Sequence, residues 1–270
     1  MKEIISQFNF KKKFGQNFLQ DANLLDKIVT LGNVDKDSLV IEVGLGAGAL
    51  TQRLVKKAGF VLGYEIDKEL KNTLDKLLSN VSNIKVIYDD FLNRNLKEDL
   101  KEYNFKQIIV VANLPYYITT PIITKFITEN INISRIVVMV QNEVANRFAA
   151  NVGEKNYNSL TVFLNYYFNI KKAFVVSRNA FFPKPNVDSA VVIFETKKHK
   201  IKLNNEQHFF KLVRDSFVQK RKTLKNNLKQ YDTNLINNVL SKYDKNIGFR
   251  AEQITLEEFI DISNKLSENR

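Results

Sequence analysis

This sequence predicts an open α/β architecture: a seven-stranded sheet covered by helices on both faces, followed by a small all-helical C-terminal domain. Three observations carry the prediction. Short, continuous apolar runs alternate with helical patterns from residue 39 to about residue 168, as expected of parallel strands buried on both faces. A glycine-rich turn, Gly44-Leu45-Gly46-Ala47-Gly48, follows the first of these runs at once. Beyond about residue 198 only helical periodicity remains. The domain boundary is therefore expected between residues 198 and 199.

Residues 1–20 are polar, with aromatic and basic side chains interleaved, and are expected to form an arm over the ligand site. Asp21-Ala22-Asn23 then opens a helix with Leu24, Leu25, Ile28 and Val29 on one face. Strands are expected near 39–43, 60–64, 84–87, 108–112 and 136–140. The runs Ala173–Val176 and Ala190–Phe194 complete the seven. No internal repeat or low-complexity linker interrupts the pattern.

The glycines after the first strand let the backbone turn sharply and approach a ligand without Cβ clashes. The second strand ends in Glu65, 21 residues after Gly44. That is the place of the acid that accepts hydrogen bonds from ribose hydroxyls in dinucleotide folds. Strand, glycine loop, helix and acid together indicate a cofactor containing adenosine. NAD and S-adenosylmethionine (SAM) both qualify. The spacing is Gly-x-Gly-x-Gly rather than Gly-x-Gly-x-x-Gly, and SAM has no pyrophosphate that needs a helix N-terminus. The third strand ends in Asp89-Asp90-Phe91. An acid beside an aromatic there could hold an adenine ring, and at least one of the two aspartates is expected to cap a turn.

The fourth strand ends in Asn113-Leu114-Pro115-Tyr116, at the sheet edge where open α/β folds bind ligands. Asn113 offers a side-chain acceptor. The carbonyl before Pro115 is a second acceptor, held extended by the proline. Tyr116 can lie on a planar ring. Two acceptors and a stacking face suit the exocyclic amine of a nucleobase; a strand-terminating turn with a buried Tyr is the plainer alternative.

Lys and Arg number 41 against 29 Asp and Glu, for a net charge of +12, which favours a polyanionic partner. With no Cys, disulfides, iron–sulfur clusters and cysteine zinc sites are excluded, and no metal is expected. His199 and His208 stand far apart in a basic region and are expected to be exposed and unliganded. No apolar run is long enough to span a membrane, and no signal core precedes a cleavage site; a cytoplasmic protein is expected. From Lys197 to Lys229 there are eleven Lys or Arg and two Asp or Glu. On one continuous helix Phe210, Val213, Phe217, Leu224 and Leu228 would share a face, flanked by Lys211, Arg214, Lys222, Lys225 and Lys229. Such a stripe suits phosphate contact, although a solvated lysine face reads the same way.

Several segments in order now carry a resemblance: Phe14-Gly15-Gln16-Asn17-Phe18-Leu19, Ile41–Gly46, Glu65-Ile66-Asp67, Asp90-Phe91, Asn113–Tyr116, Phe181–Ser189 and Phe217–Leu228. Over nearly its whole length the chain resembles the rRNA adenine N6,N6-dimethyltransferases of the KsgA type. The resemblance implies a Rossmann-like, SAM-dependent methyltransferase fold whose last strand runs antiparallel. It implies cofactor roles for Asn17, Leu19, Gly44, Gly46, Glu65, Asp90 and Asn113. It also implies that Asn113, Leu114, Pro115 and Tyr116 hold the target adenine, with Phe181 flanking it. Sequence does not separate Phe181 from Phe182, which is the other candidate for core packing. RNA contact is expected from Lys211, Arg214, Lys220, Arg221, Lys222 and Lys225. The family often has Pro where Leu45 stands, a mild departure.

The implied activity is dimethylation of N6 on two adjacent adenosines in the 3′-terminal hairpin of 16S rRNA, within the small (30S) subunit, by a monomer. One alternative is the large-subunit (23S) dimethylase of the macrolide-resistance type, which usually reads Asn-Ile-Pro-Tyr at the motif. Another is a ribosome-assembly factor acting mainly by binding. An NAD-dependent oxidoreductase fits poorly, given the glycine spacing and the lack of a proton-transfer residue.

Overall fold

The computed structural model describes residues 18–19, 21–116, 118–198 and 200–268. The chain forms two compact units. One runs to Ala145 and resumes over Lys171–Thr196; the other comprises Asn146–Ile170 and the chain from Lys197 onward.

The first unit opens with the short strand β1 (Phe18–Leu19) and helix α1 (Ala22–Leu31). Asp21 caps α1, its carboxylate accepting from the Asn23 and Leu24 amides at 2.9 and 3.1 Å, while Leu25, Ile28 and Val29 are buried. There follow β2 (Ser38–Val43), α2 (Thr51–Lys57), β3 (Phe60–Tyr64), α3 (Lys71–Leu77) and β4 (Ile84–Ile87). Next come α4 (Leu96–Leu100), β5 (Gln107–Asn113), α5 (Thr119–Thr128), β6 (Ile133–Gln141) and α6 (Asn142–Phe148). After α7 (Ser159–Tyr167) the chain forms β7 (Phe168–Val176), β8 (Phe181–Phe182) and β9 (Ser189–Thr196).

The main sheet has the order β4-β3-β2-β5-β6-β9-β7. The pairs among β2 to β6 are parallel, and β9 is antiparallel to β6. The expected strands are all present, and the antiparallel last strand is as the resemblance implied. β2 and β5 are side by side but far apart in sequence, so the strand order reverses between them. Their carboxyl ends therefore form the switch point at which such sheets bind ligands. Val40, Leu54, Ile109, Val111 and Val137 belong to the core cluster beneath it.

A small second sheet was not legible in the sequence. β1 pairs antiparallel with β8, placing Phe18 opposite Phe182 and Leu19 opposite Phe181.

The second unit holds α7 and the helices α8 (Glu206–Ser216), α9 (Leu224–Asn227), α10 (Thr233–Ser241) and α11 (Leu256–Glu268). Its boundary departs from a single cut at residue 198. Ala150, Tyr157, Val162 and Tyr166 are buried in one cluster with Phe209, Leu212, Phe259 and Ile260, so the apolar side chains around α7 draw that segment into the helical unit. The long helix expected across residues 210–228 is also broken. Asn227 is the reason: its amide donates to the Ser216 carbonyl at 2.7 Å and the Gln219 carbonyl at 3.2 Å, and its oxygen accepts from the Gln219 amide at 3.2 Å. The turn so pinned still places Val213, Leu224 and Leu228 in one core, with Phe210 and Phe217 packed against it. His208, expected at the surface, is only 8% exposed; its Nδ1 lies 3.1 Å from the Ser263 hydroxyl and 3.3 Å from that of Ser267, both on α11. His199 lies outside the described residues, as does the expected arm up to residue 17. Among the described residues no helix is long and apolar enough to cross a membrane.

Candidate functional site

A cavity of about 820 Å³, including its open mouth, lies at the switch point. Its wall brings together Leu19, Gly44, Gly46, Glu65 and the run from Asn113 to Tyr116, with Phe18, Glu42 and Ile66 among the other residues lining it. Of the expected site residues, Asn17 is outside the described chain, while Asp90 and Phe181 do not line the cavity.

The glycine loop forms the floor. Gly46 has φ +55°, in the left-handed region. A Cβ there would stand 2.7 Å from Cε1 of Phe18, so a side chain at this position would be strained in its backbone and would have to displace the Phe18 ring. A Cβ on Gly44 would lie 3.9 Å from the Asn113 carbonyl oxygen, which shows how closely the loop approaches the end of β5. Glu65 ties the second strand to this floor. Its Oε2 accepts from the Gly46 amide at 2.9 Å and its Oε1 from the Asp67 amide at 2.8 Å. Burial pushes its carboxyl above the usual range, and the two backbone donors work against that.

No Lys or Arg lines the cavity among the described residues, whereas a dinucleotide would bring a pyrophosphate there. A backbone-only floor, a buried carboxylate suited to ribose hydroxyls, and no cation fit SAM. Glu65→Ala should weaken SAM binding by roughly one to two orders of magnitude, because a hydrogen bond to a charged group contributes about 1.5–3 kcal/mol. Equilibrium titration with SAM checks this, and an unchanged affinity would refute the ribose role.

Asn113 ends β5, opposite Met139 of β6, and the Leu114 amide donates to the Met139 carbonyl at 3.2 Å. The motif backbone is thereby an extension of the sheet. Tyr116 is fixed by a 2.7 Å hydrogen bond between its hydroxyl and that of Ser189, the first residue of β9; burial raises its phenol pKa. The Pro115 carbonyl accepts from the Thr119 hydroxyl at 3.2 Å at the start of α5.

Two expected residues have other partners in this structure. Asp90 caps a short turn, its Oδ1 accepting from the Leu92 amide at 2.9 Å. The aromatic beside it, Phe91, is buried with its ring against Tyr64 and Phe126, at centroid distances of 5.0 and 5.3 Å, so it offers no open face to an adenine. Phe181 is 5% exposed and Phe182 is 48% exposed. Alternation along β8 thus buries the first ring and presents the second, the reverse of the alternative in which Phe182 packs in the core.

Phe18, Ile66 and Glu42 are among the cavity residues that the sequence does not single out. Phe18 lies in the segment Phe14–Leu19 with no local signal of a role; its ring against Gly46 becomes visible only through the β1–β8 pairing. Ile66 follows Glu65 directly and is 38% exposed. Glu42 reads as part of an apolar strand.

In the helical unit Lys211 pairs with Asp215 at 2.6 Å, and Lys220 donates to the Lys155 carbonyl at 2.5 Å. Arg214, Arg221, Lys222 and Lys225 are exposed. Lys220, Arg221 and Lys222 lie on the turn between α8 and α9, so the basic residues do not form a stripe along one helix.

A family model described as ribosomal RNA adenine dimethylase matches residues 7–268. The chain is 44% identical to a ribosomal RNA small subunit methyltransferase A from Bacillus pumilus (strain SAFR-032), over 98% of this chain and 94% of that one. It is 42% identical to a protein of the same name from Geobacillus sp. (strain WCH70), over 96% and 92%. Among solved structures it resembles a dimethyladenosine transferase from Plasmodium falciparum, with a TM-score of 0.77 and 27% identity over 91% of this chain and 95% of that one. It likewise resembles the 23S rRNA methyltransferase ErmE, with a TM-score of 0.75 and 25% identity over 93% and 100%. A match of this extent, on a chain whose glycine loop, buried acid and Asn-Leu-Pro-Tyr motif meet in one cavity, makes it a member of the ribosomal RNA adenine dimethylase family.

Proposed function

We propose that this chain transfers methyl groups from SAM to N6 of two adjacent adenosines near the 3′ end of small-subunit rRNA, giving dimethyladenosines, and that it acts on the small ribosomal subunit. The observation that carries the reading is the shared cavity of the glycine loop, Glu65 and the motif Asn113–Tyr116 at the sheet's switch point. The identity to small-subunit enzymes favours this substrate over large-subunit rRNA.

In this reading Leu19, Gly44, Gly46, Glu65 and the Asn113 carbonyl hold the cofactor, and cofactor roles are also assigned to Asp90, which caps the turn after β4, and to Asn17. Bound SAM supplies a methyl group on a sulfonium, a leaving group that needs no further activation. The protein's task is then at the nucleophile, because the N6 lone pair is delocalised into the purine. The Asn113 side-chain oxygen and the Leu114 carbonyl accept the two amine hydrogens. That favours a pyramidal nitrogen and stabilises the positive charge that grows on it. The amine sheds its proton only once it is cationic, so a strong general base is not needed. Tyr116, locked by Ser189, offers its face to the base, and Phe181 backs the wall from the core. A base stacked in RNA must first be rotated out, and stacking on an aromatic returns about 1–3 kcal/mol.

RNA phosphates are assigned to Arg214, Arg221, Lys222 and Lys225, with Lys211 and Lys220 sharing their charge with Asp215 and the Lys155 carbonyl. Replacing both Lys222 and Lys225 with Ala should flatten the dependence of log affinity on log salt by about 1.4, at roughly 0.7 for each phosphate left unneutralised on single-stranded RNA. Binding titrations between 50 and 200 mM salt read this out, and an unchanged slope removes both residues from the RNA-binding surface. To test the substrate assignment, small and large subunits lacking the modification are offered together. Dimethyladenosine should accumulate in the small-subunit RNA; accumulation in the large-subunit RNA would overturn the reading.

A further inference from the structure

Glu42 is a fully buried acid in the cavity wall for which the mechanism above has no use. It lies in β2, two residues before Gly44, and is 1% exposed. Its partner across β3 is Gly63, which has no side chain to cover it. Its Oε2 makes no well-formed hydrogen bond, and the Thr51 hydroxyl, close enough to favour the charged form, offsets only part of the burial. An ionised carboxyl left without a partner is costly to bury, so such a group keeps its proton. Burial, with a smaller push from the negative charge of Glu65, holds the Glu42 proton to about pH 8. The Thr51 hydroxyl, at the start of α2, works the other way. These are the groups that act on it: Thr51 from α2 and Glu65 from the end of β3. β5 brings the Asn113 amide to the same wall, and no cation among the described residues offsets Glu42.

A permanent positive charge inside this cavity would change that balance. SAM carries one at sulfur; S-adenosylhomocysteine, the product after transfer, does not. The two ligands share their adenosine, amine and carboxylate, so only the sulfonium separates them. We propose that Glu42 distinguishes the methyl donor from the spent product, by giving up its proton to solvent beside a bound sulfonium and keeping it beside the neutral thioether. The proton returns from solvent after transfer, so Glu42 makes no net change over a cycle and does not take the N6 proton. Glu42 thereby favours binding of the charged ligand and release of the neutral one. The proposal rests on the reading that this cavity holds the cofactor.

The test is calorimetric titration of wild type and Glu42→Gln with SAM and with S-adenosylhomocysteine. Titrations at pH 7 use two buffers of different ionisation enthalpy. Wild type should release more protons on binding SAM than on binding S-adenosylhomocysteine, and Glu42→Gln should show the same release for both. Across pH 6 to 8 the wild-type affinity ratio should rise in favour of SAM, by at most about tenfold per pH unit for one linked proton, and stay flat in the variant. Equal proton release for the two ligands in wild type, or an undiminished difference in Glu42→Gln, would overturn the proposal. A Glu65→Ala variant that bound both ligands at wild-type affinity would instead show that they bind elsewhere, which is a failure of the site reading. Should the Gln variant not fold, the wild-type ratio decides alone: independence from pH between 6 and 8 is the contrary result.

Discussion

Asn113→Ala is expected to lower methyl transfer by at least about 10²–10³-fold, the loss seen when one preorganised hydrogen-bonding group is removed from a developing charge, while SAM still binds within a few-fold of wild type. The two halves of the expectation come from different atoms of one residue. The side-chain oxygen is one of two acceptors proposed for the N6 hydrogens, and alanine removes it. The backbone carbonyl stands beside the glycine loop, and its position is set by pairing with Met139 and by the Leu114 amide bond to the same strand. Alanine leaves that ladder intact. Single-turnover transfer measured beside equilibrium SAM binding separates the two. Near-normal transfer would remove the side chain from the reaction; a parallel loss of SAM affinity would mean that the motif serves the cofactor rather than the base.

Glu42→Gln should make the protein more stable at neutral and alkaline pH. The folded acid keeps its proton to about pH 8, against an ordinary value of 4.5. Between those limits the folded state binds more protons than the unfolded chain, so the residue's contribution to stability falls as pH rises through that window. At pH 7, two and a half units above the ordinary value, the cost is on the order of 3 kcal/mol at most, since each unit is worth about 1.4 kcal/mol and local relaxation lowers the sum. The amide has nearly the same shape and cannot ionise. Denaturant unfolding at pH 5, 6, 7 and 8 should show the variant gaining on wild type with each step. Parallel stabilities across that range would show that Glu42 is not held neutral in the fold.

The parts of the site that were legible in the sequence are those set by local signals. Gly44 and Gly46 follow an apolar strand directly, Glu65 ends the next strand, and the run Asn113–Tyr116 combines a strand end with a proline. Each is a strand-to-loop junction, and parallel topology brings such junctions to one edge of the sheet. What escaped depends on contacts distant in sequence. Whether Phe181 or Phe182 is buried is decided by the register with Phe18 and Leu19. The helix expected through residues 210–228 breaks because Asn227 reaches back to Ser216, a bond that periodicity does not reveal. His208 is buried because Ser263 and Ser267, more than fifty residues away, lie beside its ring. The aromatic next to Asp90 packs into the core because Tyr64 and Phe126 are there to receive it. Glu42 is not legible because one acid within Leu39–Val43 reads as noise in an apolar run, and only the closed wall around it shows that it is buried.

In the proposed reaction the cavity presents one adenine after another to the same methyl donor. The most direct test supplies labelled SAM and small ribosomal subunits that lack the modification, then maps the labelled nucleotides and identifies them by mass. Dimethyladenosine is expected at two adjacent positions near the 3′ end of the small-subunit rRNA. Label confined to large-subunit RNA, or none on either subunit despite SAM binding, would contradict it.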